Sequence, residues 1–236
     1  MKTAYTGWMW LKEVVGHPEQ FRRQFEQCVM ELTYLGYEYM ENFTFLRDHL
    51  TPAQVREICA RYGGKISALY TNLSNGIDTL KRDAEYVAEI GGEWLICSSP
   101  NWPAGKELNS PPDWEEIRRE ASLCNELGEY VASLGITLLH NHHSYTPVCR
   151  RDEIDEFMRL TSPDLVQICV DDGHALVAGV DAVQLVKDYA DRIAYVHLKD
   201  LDPTLTYRGR GLSWVPLGLG TANLPAFMQA LREIQF

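Results

Sequence analysis

Leu165-Val166-Gln167-Ile168-Cys169-Val170-Asp171-Asp172-Gly173-His174 and, further along, Ile193-Ala194-Tyr195-Val196-His197-Leu198-Lys199-Asp200 are the two stretches on which the fold turns. Each is a short apolar run, rich in β-branched residues, that ends in side chains capable of chemistry. Between them Asp181 to Tyr189 reads as a helix. Two strands separated by a helix cannot form a hairpin, so they lie parallel and are joined by a right-handed crossover.

Working outward, the same order recurs. Toward the N-terminus the spacing predicts a helix over Asp152 to Leu160, a strand over Ile136 to His142 and a long helix over Trp114 to Leu134 stopped by Gly135. Before a Pro-rich loop, Ser98 to Pro112, come a strand over Glu93 to Cys97 and a helix over Asp78 to Ile90. Lys65 to Leu73 is a strand preceded by a helix that opens with Thr51-Pro52, an N-cap and a first-turn proline, and closes at Gly63-Gly64. Phe21, Phe25, Cys28, Val29, Leu32 and Leu35 recur at helical spacing, Gly36 stops that helix, and strands follow at Tyr37 to Asn42 and precede at Ala4 to Trp10. These runs predict seven strands, ending with the helix Leu224 to Ile234.

A sequential β-α order either closes as a barrel or opens as a doubly wound sheet. No G-x-G-x-x-G follows a strand, which speaks against a dinucleotide-binding open sheet. Polar residues stand at the ends of several strands, namely Glu41, His140 with His142, Asp171 with His174, and His197 with Lys199; a barrel is the architecture that brings many strand ends to one mouth. The expectation is one (β/α) TIM-type barrel domain over residues 1–236. Such barrels take about 250 residues, so an eighth strand and helix are expected to be lacking, with another copy or a partner chain covering the edge.

The chain has 236 residues and a formal net charge of -11, with no Lys- or Arg-rich stretch, so its field repels nucleic acid and anionic membrane surfaces. Nowhere do about 18 apolar residues run together, and the N-terminus has no signal-like apolar core. The six cysteines have no paired spacing and read as thiols of a reducing, cytoplasmic compartment.

Alternation in Leu138-Leu139-His140-Asn141-His142-His143 predicts His140 and His142 on one face. In Val196-His197-Leu198-Lys199, His197 and Lys199 share a face, and a lysine inside a barrel needs a partner or a task. Imidazoles and a carboxylate from neighbouring strand ends are the ingredients of a divalent-metal site. A bland reading exists for each: a hydrogen-bonded core histidine, or an Asp that caps a helix before a turn glycine.

The runs Cys169-Val170-Asp171-Asp172-Gly173-His174 and Tyr195-Val196-His197-Leu198-Lys199-Asp200 resemble the D-x-G-H and V-H-x-K-D signatures of the xylose-isomerase-like sugar phosphate isomerase/epimerase barrels. Gly36-Tyr37-Glu38-Tyr39-Met40-Glu41 looks like their second-strand pattern, and Val215-Pro216-Leu217-Gly218-Leu219-Gly220 like their Gly-x-Gly stretch. The H-x-H of His140 and His142 is similar to the inosose dehydratase branch. The resemblance implies Asp171 and His197, with His140 at the fifth-strand position, as ligands of a divalent metal (Mn, Co, Mg or Zn), and His174 and Lys199 as substrate contacts. Many relatives carry Glu on the fifth and eighth strands; with fewer carboxylates this site holds a hard dication more weakly.

The chemistry so implied is proton abstraction next to a carbonyl of a sugar or cyclitol, with the metal or Lys199 stabilising the enediolate. Glu41 or His142 is the candidate base. Trp8 and Trp102 offer flat faces to a sugar ring, as does Trp10. Expulsion of a β-hydroxyl makes the enzyme a dehydratase; return of the proton makes it an isomerase or epimerase. A third expectation is a barrel without activity that serves as a binding subunit.

Overall fold

The computed structural model describes residues 2–103, 106–204 and 213–236. They group into two compact units, Met1–Cys97 with Glu126–Leu138, and Ser98–Asn125 with Leu139–Phe236.

The first unit contains β1 (Ala4–Thr6), α1 (Trp8–Leu11), α2 (Pro18–Tyr34), β2 (Tyr39–Phe43), α3 (Pro52–Tyr62), β3 (Lys65–Asn72), α4 (Ile77–Ile90) and most of β4 (Trp94–Ser98). β1 pairs parallel with β2 and β2 with β3, as strands linked through helices must. The apolar stripe read from the sequence is the buried face of α2: Phe21, Phe25, Cys28, Val29 and Leu32. Thr51 and Gln54 close a capping box at the start of α3, and Gly63 ends it at φ 78, a left-handed conformation that glycine adopts without Cβ strain.

The strand expected over Ala4 to Trp10 is shorter. Gly7 donates to the Glu41 carbonyl at 2.8 Å and then accepts from the amides of Trp10 and Leu11, so the chain turns helical at Trp8. The Asn42 side chain stands 2.5 Å from where a Cβ on Gly7 would lie, so the turn needs a residue without one.

Besides β4, whose last residue Ser98 belongs to the second unit, α5 (Trp114–Ser133) and β5 (Thr137–Asn141) contribute residues to both units. The second unit continues with α6 (Arg151–Leu160), β6 (Val166–Asp171), α7 (Asp172–Ala178), α8 (Ala182–Asp188), β7 (Ile193–His197), β8 (Asp200–Asp202), β9 (Ser213–Val215) and α9 (Leu224–Glu233). Its core gathers Ile117, Cys124, Phe157, Ile168, Val170, Leu185 and Phe227, all buried. Burial of each such side chain contributes roughly 1.5–3 kcal/mol.

The strand order of the main sheet is β1-β2-β3-β4-β5-β6-β7, seven strands in chain order, as the alternation predicts. Among the described residues no eighth strand joins it. Asp171 caps a helix, α7, as one of its two sequence readings expects, whereas β7 ends at His197 rather than at Lys199, short of the expected strand. Beyond it β8 and β9 form a separate antiparallel ribbon, Asp200↔Val215 and Leu201↔Trp214. The buried Asp200 carboxylate secures this region by accepting the amides of Leu201, Gly218, Gly220 and Ala222 at 2.9–3.0 Å. Those four donors, against the opposing cost of burial, hold its pKa below the ordinary carboxylate value.

Among the described residues no helix is long and apolar enough to cross a membrane. All six cysteines are buried, and none is joined in a disulfide.

Candidate functional site

The candidate site lies wholly in the second unit, where β6 hands over to α7 and β7 ends beside it. Asp171 is the last residue of β6 and the N-cap of α7: its Oδ1 accepts the His174 amide at 2.9 Å, satisfying one of the donors that every helix start leaves open. Parallel pairing sets Asp171 opposite His197. The free carboxylate oxygen, Oδ2, therefore faces the β7 end, with His197 Nδ1 at 3.3 Å and the Lys199 ammonium in direct contact. Asp171 is fully buried. Burial pushes its pKa up, but the Lys199 charge and then the His197 hydrogen bond lead the effects that outweigh it and hold it well below the usual carboxylate range.

Lys199 is fixed at its backbone as well, where its amide donates to Asp172 Oδ1 at 2.7 Å. The other Asp172 oxygen is buried without a hydrogen-bond partner among the described residues, and burial raises this carboxyl to about 6.

Four imidazoles surround the pair. His174 Nδ1 is 2.7 Å from Ser144 Oγ, and the His143 ring lies on the His174 ring with centroids 3.4 Å apart. His142 Nε2 accepts the Asp171 amide at 3.1 Å, and its Nδ1 is buried without a partner among the described residues. Burial, aided by the Lys199 charge, lowers all three, His142 to about 4 and His174 to about 2. These three rings are neutral at physiological pH, and the ammonium of Lys199 supplies positive charge beside them.

His140 lies elsewhere in the unit. Its ring packs 4.1 Å from that of Phe157, and its Nε2 is 3.4 Å from Ser99 Oγ, which donates to the buried Glu120. Burial is the first cause that takes His140 down to about 3 and Glu120 up to about 7. β5 ends at Asn141, so His142 stands one residue beyond the strand that carries His140, and the two rings remain within electrostatic reach of each other.

The expected metal set of His140, Asp171 and His197 is thus not assembled. Among the described residues no three His, Cys, Asp or Glu side chains are grouped to hold a metal ion. As arranged, the donors do not fit a divalent cation: the Asp171 oxygen that would bind one already carries the Lys199 ammonium.

Glu41, an expected base, is buried in the first unit at β2, and Trp8 lies there in α1, its ring 5.0 Å from that of Phe43. Trp102 is in the second unit, its amide donating to the Tyr145 carbonyl at 2.8 Å, with Lys106 Nζ 4.8 Å from its ring and its own Nε1 buried without a partner among the described residues. Tyr145 has φ 64, a strained value for a side chain of this size, immediately after Ser144.

His143, Ser144, Asp172 and Trp214 belong to the surroundings of the cluster and carried no sequence expectation as site residues. His143 and Asp172 follow marked residues directly; Ser144 and Trp214 have no periodic signal, since neither stands on a predicted strand.

Residues 31–236 match the family described as xylose isomerase-like TIM barrel. Among curated proteins the chain is 32% identical over 200 residues to an inosose dehydratase of Geobacillus kaustophilus, covering 75% of this chain and 62% of the relative. It is 36% identical over 191 residues to one of Clostridium perfringens, covering 75% and 64%. The chain thus spans less than two thirds of the length of these relatives. Among solved structures, IOLI protein with a binding zinc atom superposes with a TM-score of 0.72 at 19% identity, over 100% of this chain and 86% of that one.

Proposed function

Because the chain belongs to the xylose isomerase-like TIM barrel family, we propose that its Asp171–His197–Lys199 cluster serves an inosose dehydratase-like reaction on a polyhydroxylated ring ketone. The carrying observation is the Lys199 ammonium, held on a buried carboxylate among neutral imidazoles. In such surroundings a cation stabilises developing oxyanion charge far better than it does in water. A proton leaves the carbon beside the carbonyl, the carbonyl oxygen becomes an enediolate oxygen against Lys199, and the hydroxyl one carbon further departs. That hydroxyl takes up one proton, so water is released with no net change in protons.

Asp171 orients the Lys199 ammonium and the His197 imidazole, and His174 presents a neutral imidazole fixed by Ser144. The proton acceptor is one of the two the sequence offers, Glu41 or His142; the Nε2 lone pair of His142 is engaged by the Asp171 amide. Two other outcomes belong to the same intermediate: if the proton returns to carbon instead, the enzyme is an isomerase or epimerase. Metal dependence is a second reading, supported by Asp171 Oδ2 and His197 Nδ1 standing 3.3 Å apart and by the zinc atom in the IOLI structure. It requires Lys199 to withdraw from that oxygen.

The test is turnover of a keto-inositol by the purified protein, followed by mass spectrometry, before and after chelation and manganese or zinc addition. Loss of water is the expected product change. Lys199→Met is expected to lower kcat by about 10²–10³-fold, the magnitude seen when one oxyanion donor is removed. A Lys199→Met variant as active as the wild type would overturn the reading.

A further inference from the structure

Gly173 occupies the second position of α7, and its φ is not in the left-handed region. A helix there favours alanine over glycine, so the missing side chain has to be explained by what approaches it. A Cβ at Gly173 would lie 2.6 Å from the Lys199 Cβ and 2.7 Å from Trp214 Cζ3. Both distances are shorter than atoms tolerate: the Lys199 Cβ moves only with its backbone, and Cζ3 is the outer edge of the indole, which a Cβ would push away. The bare position admits two side chains: the lysine of the cluster and an indole from the β8–β9 ribbon.

Trp214 is not a core residue, since 45% of its surface remains exposed. Its ring meets His174 at 5.1 Å between centroids with planes at 74°, and Lys199 Nζ stands 5.7 Å from its centroid. The ribbon register Leu201↔Trp214 and the four amides on Asp200 fix the backbone that carries it. A half-exposed indole beside a partly exposed ammonium and a neutral imidazole offers a flat apolar surface next to polar groups. That pairing suits a ring with hydroxyls on its rim and C–H bonds on its faces.

We propose that Trp214, admitted by Gly173, is a specificity-determining substrate contact that takes the C–H face of a polyhydroxylated ring whose oxygens meet Lys199 and His174. The assignment rests on the ring-ketone reading above. Gly173 is a positioning residue: it acts only by leaving room for the indole and for Lys199.

The experiment measures binding of myo-inositol, an unreactive probe, by calorimetry, and KM and kcat with a keto-inositol, for the wild type, Trp214→Leu, Trp214→Phe and Gly173→Ala. Trp214→Leu is expected to weaken myo-inositol binding and raise KM by about tenfold, as for loss of an aromatic stacking contact, with kcat within about threefold. Trp214→Phe keeps a flat face and is expected to stay within about threefold of wild type in all three quantities. Gly173→Ala is expected to weaken binding as Trp214→Leu does. Melting curves establish that each variant is folded; should Trp214→Leu unfold, the contrast between Trp214→Phe and Gly173→Ala decides. Wild-type binding in folded Trp214→Leu, or in Gly173→Ala if Trp214→Leu unfolds, overturns this assignment and leaves the ring-ketone reading standing. A wild type that neither binds the cyclitol nor turns over the ketone overturns both.

Discussion

The Lys199 ammonium rests on the same Asp171 oxygen that His197 Nδ1 approaches at 3.3 Å. One oxygen thus carries a permanent cation and an imidazole, while the other caps a helix through the His174 amide. The arrangement satisfies a fully buried carboxylate completely, and it places a lysine where the sequence alone suggested a metal ion.

Competition follows from that geometry. In Lys199→Met the carboxylate loses its cation, and zinc or manganese measured by equilibrium dialysis is expected to bind at least about tenfold more tightly than to the wild type. Equal affinity in the two proteins would show that Lys199 does not contest the Asp171 oxygen.

The same substitution tests stability. Breaking a buried pair by removing one partner leaves an uncompensated charge, typically costing about 3–5 kcal/mol; with Lys199 partly exposed and His197 still in place, the lower end is expected from urea unfolding at pH 7. Asp171→Asn combined with Lys199→Met should recover part of the loss, whereas simple additivity of the two single variants would argue against a coupled pair.

His140 and Glu120 predict opposite pH dependences. His140 is lowered to about 3, so as pH falls below the unfolded value the unfolded chain binds a proton that the native ring refuses. Stability therefore drops with acidification from about pH 6.5 toward pH 3, by up to about 1.4 kcal/mol per pH unit from this group. Urea midpoints for His140→Leu are expected to fall less steeply across that window.

Glu120 is raised to about 7, so its native form keeps a proton that the unfolded chain releases as pH rises from about 4.3. Its neutral form is favoured at low pH, and stability is lost as pH climbs toward 7. Glu120→Gln is expected to stabilise the protein at pH 8 by about 3 kcal/mol relative to its effect at pH 4. A pH-independent effect would mean that the carboxyl is not held protonated.

Base assignment is tested by Glu41→Gln and His142→Asn with a keto-inositol. Substitution of the group that takes the proton is expected to lower kcat by about 10²–10⁴-fold, the usual share of a general base, and substitution of the other to leave kcat within about threefold. His142→Asn is also expected to lower stability, through the lost Asp171 amide contact; full activity in both variants would remove both residues from the reaction.

Much of the fold was legible because periodicity and punctuation are local. The stripe from Phe21 to Leu32, the Thr51-Pro52 start, the Gly63 stop and the seven strand cores depend on neighbours a few residues away, and each element formed where its spacing put it. Elements ended short of their local patterns where remote contacts intervened: Trp8 turned helical because Gly7 bonded to Glu41, and β5 ended at Asn141, one residue before His142.

Sequence by itself determined the alternating α/β order, the family signatures and the presence of Asp171, His197 and Lys199 at adjoining strand ends. Only the tertiary structure decided who meets whom. It sent His140 to Phe157, gave the free Asp171 oxygen to Lys199, and brought Trp214 over Gly173 from a ribbon that no periodicity announces. The physical reason is range: backbone preference and hydrophobic spacing act over one or two turns, whereas a charge's partner is chosen by burial and by distances between residues that are remote along the chain.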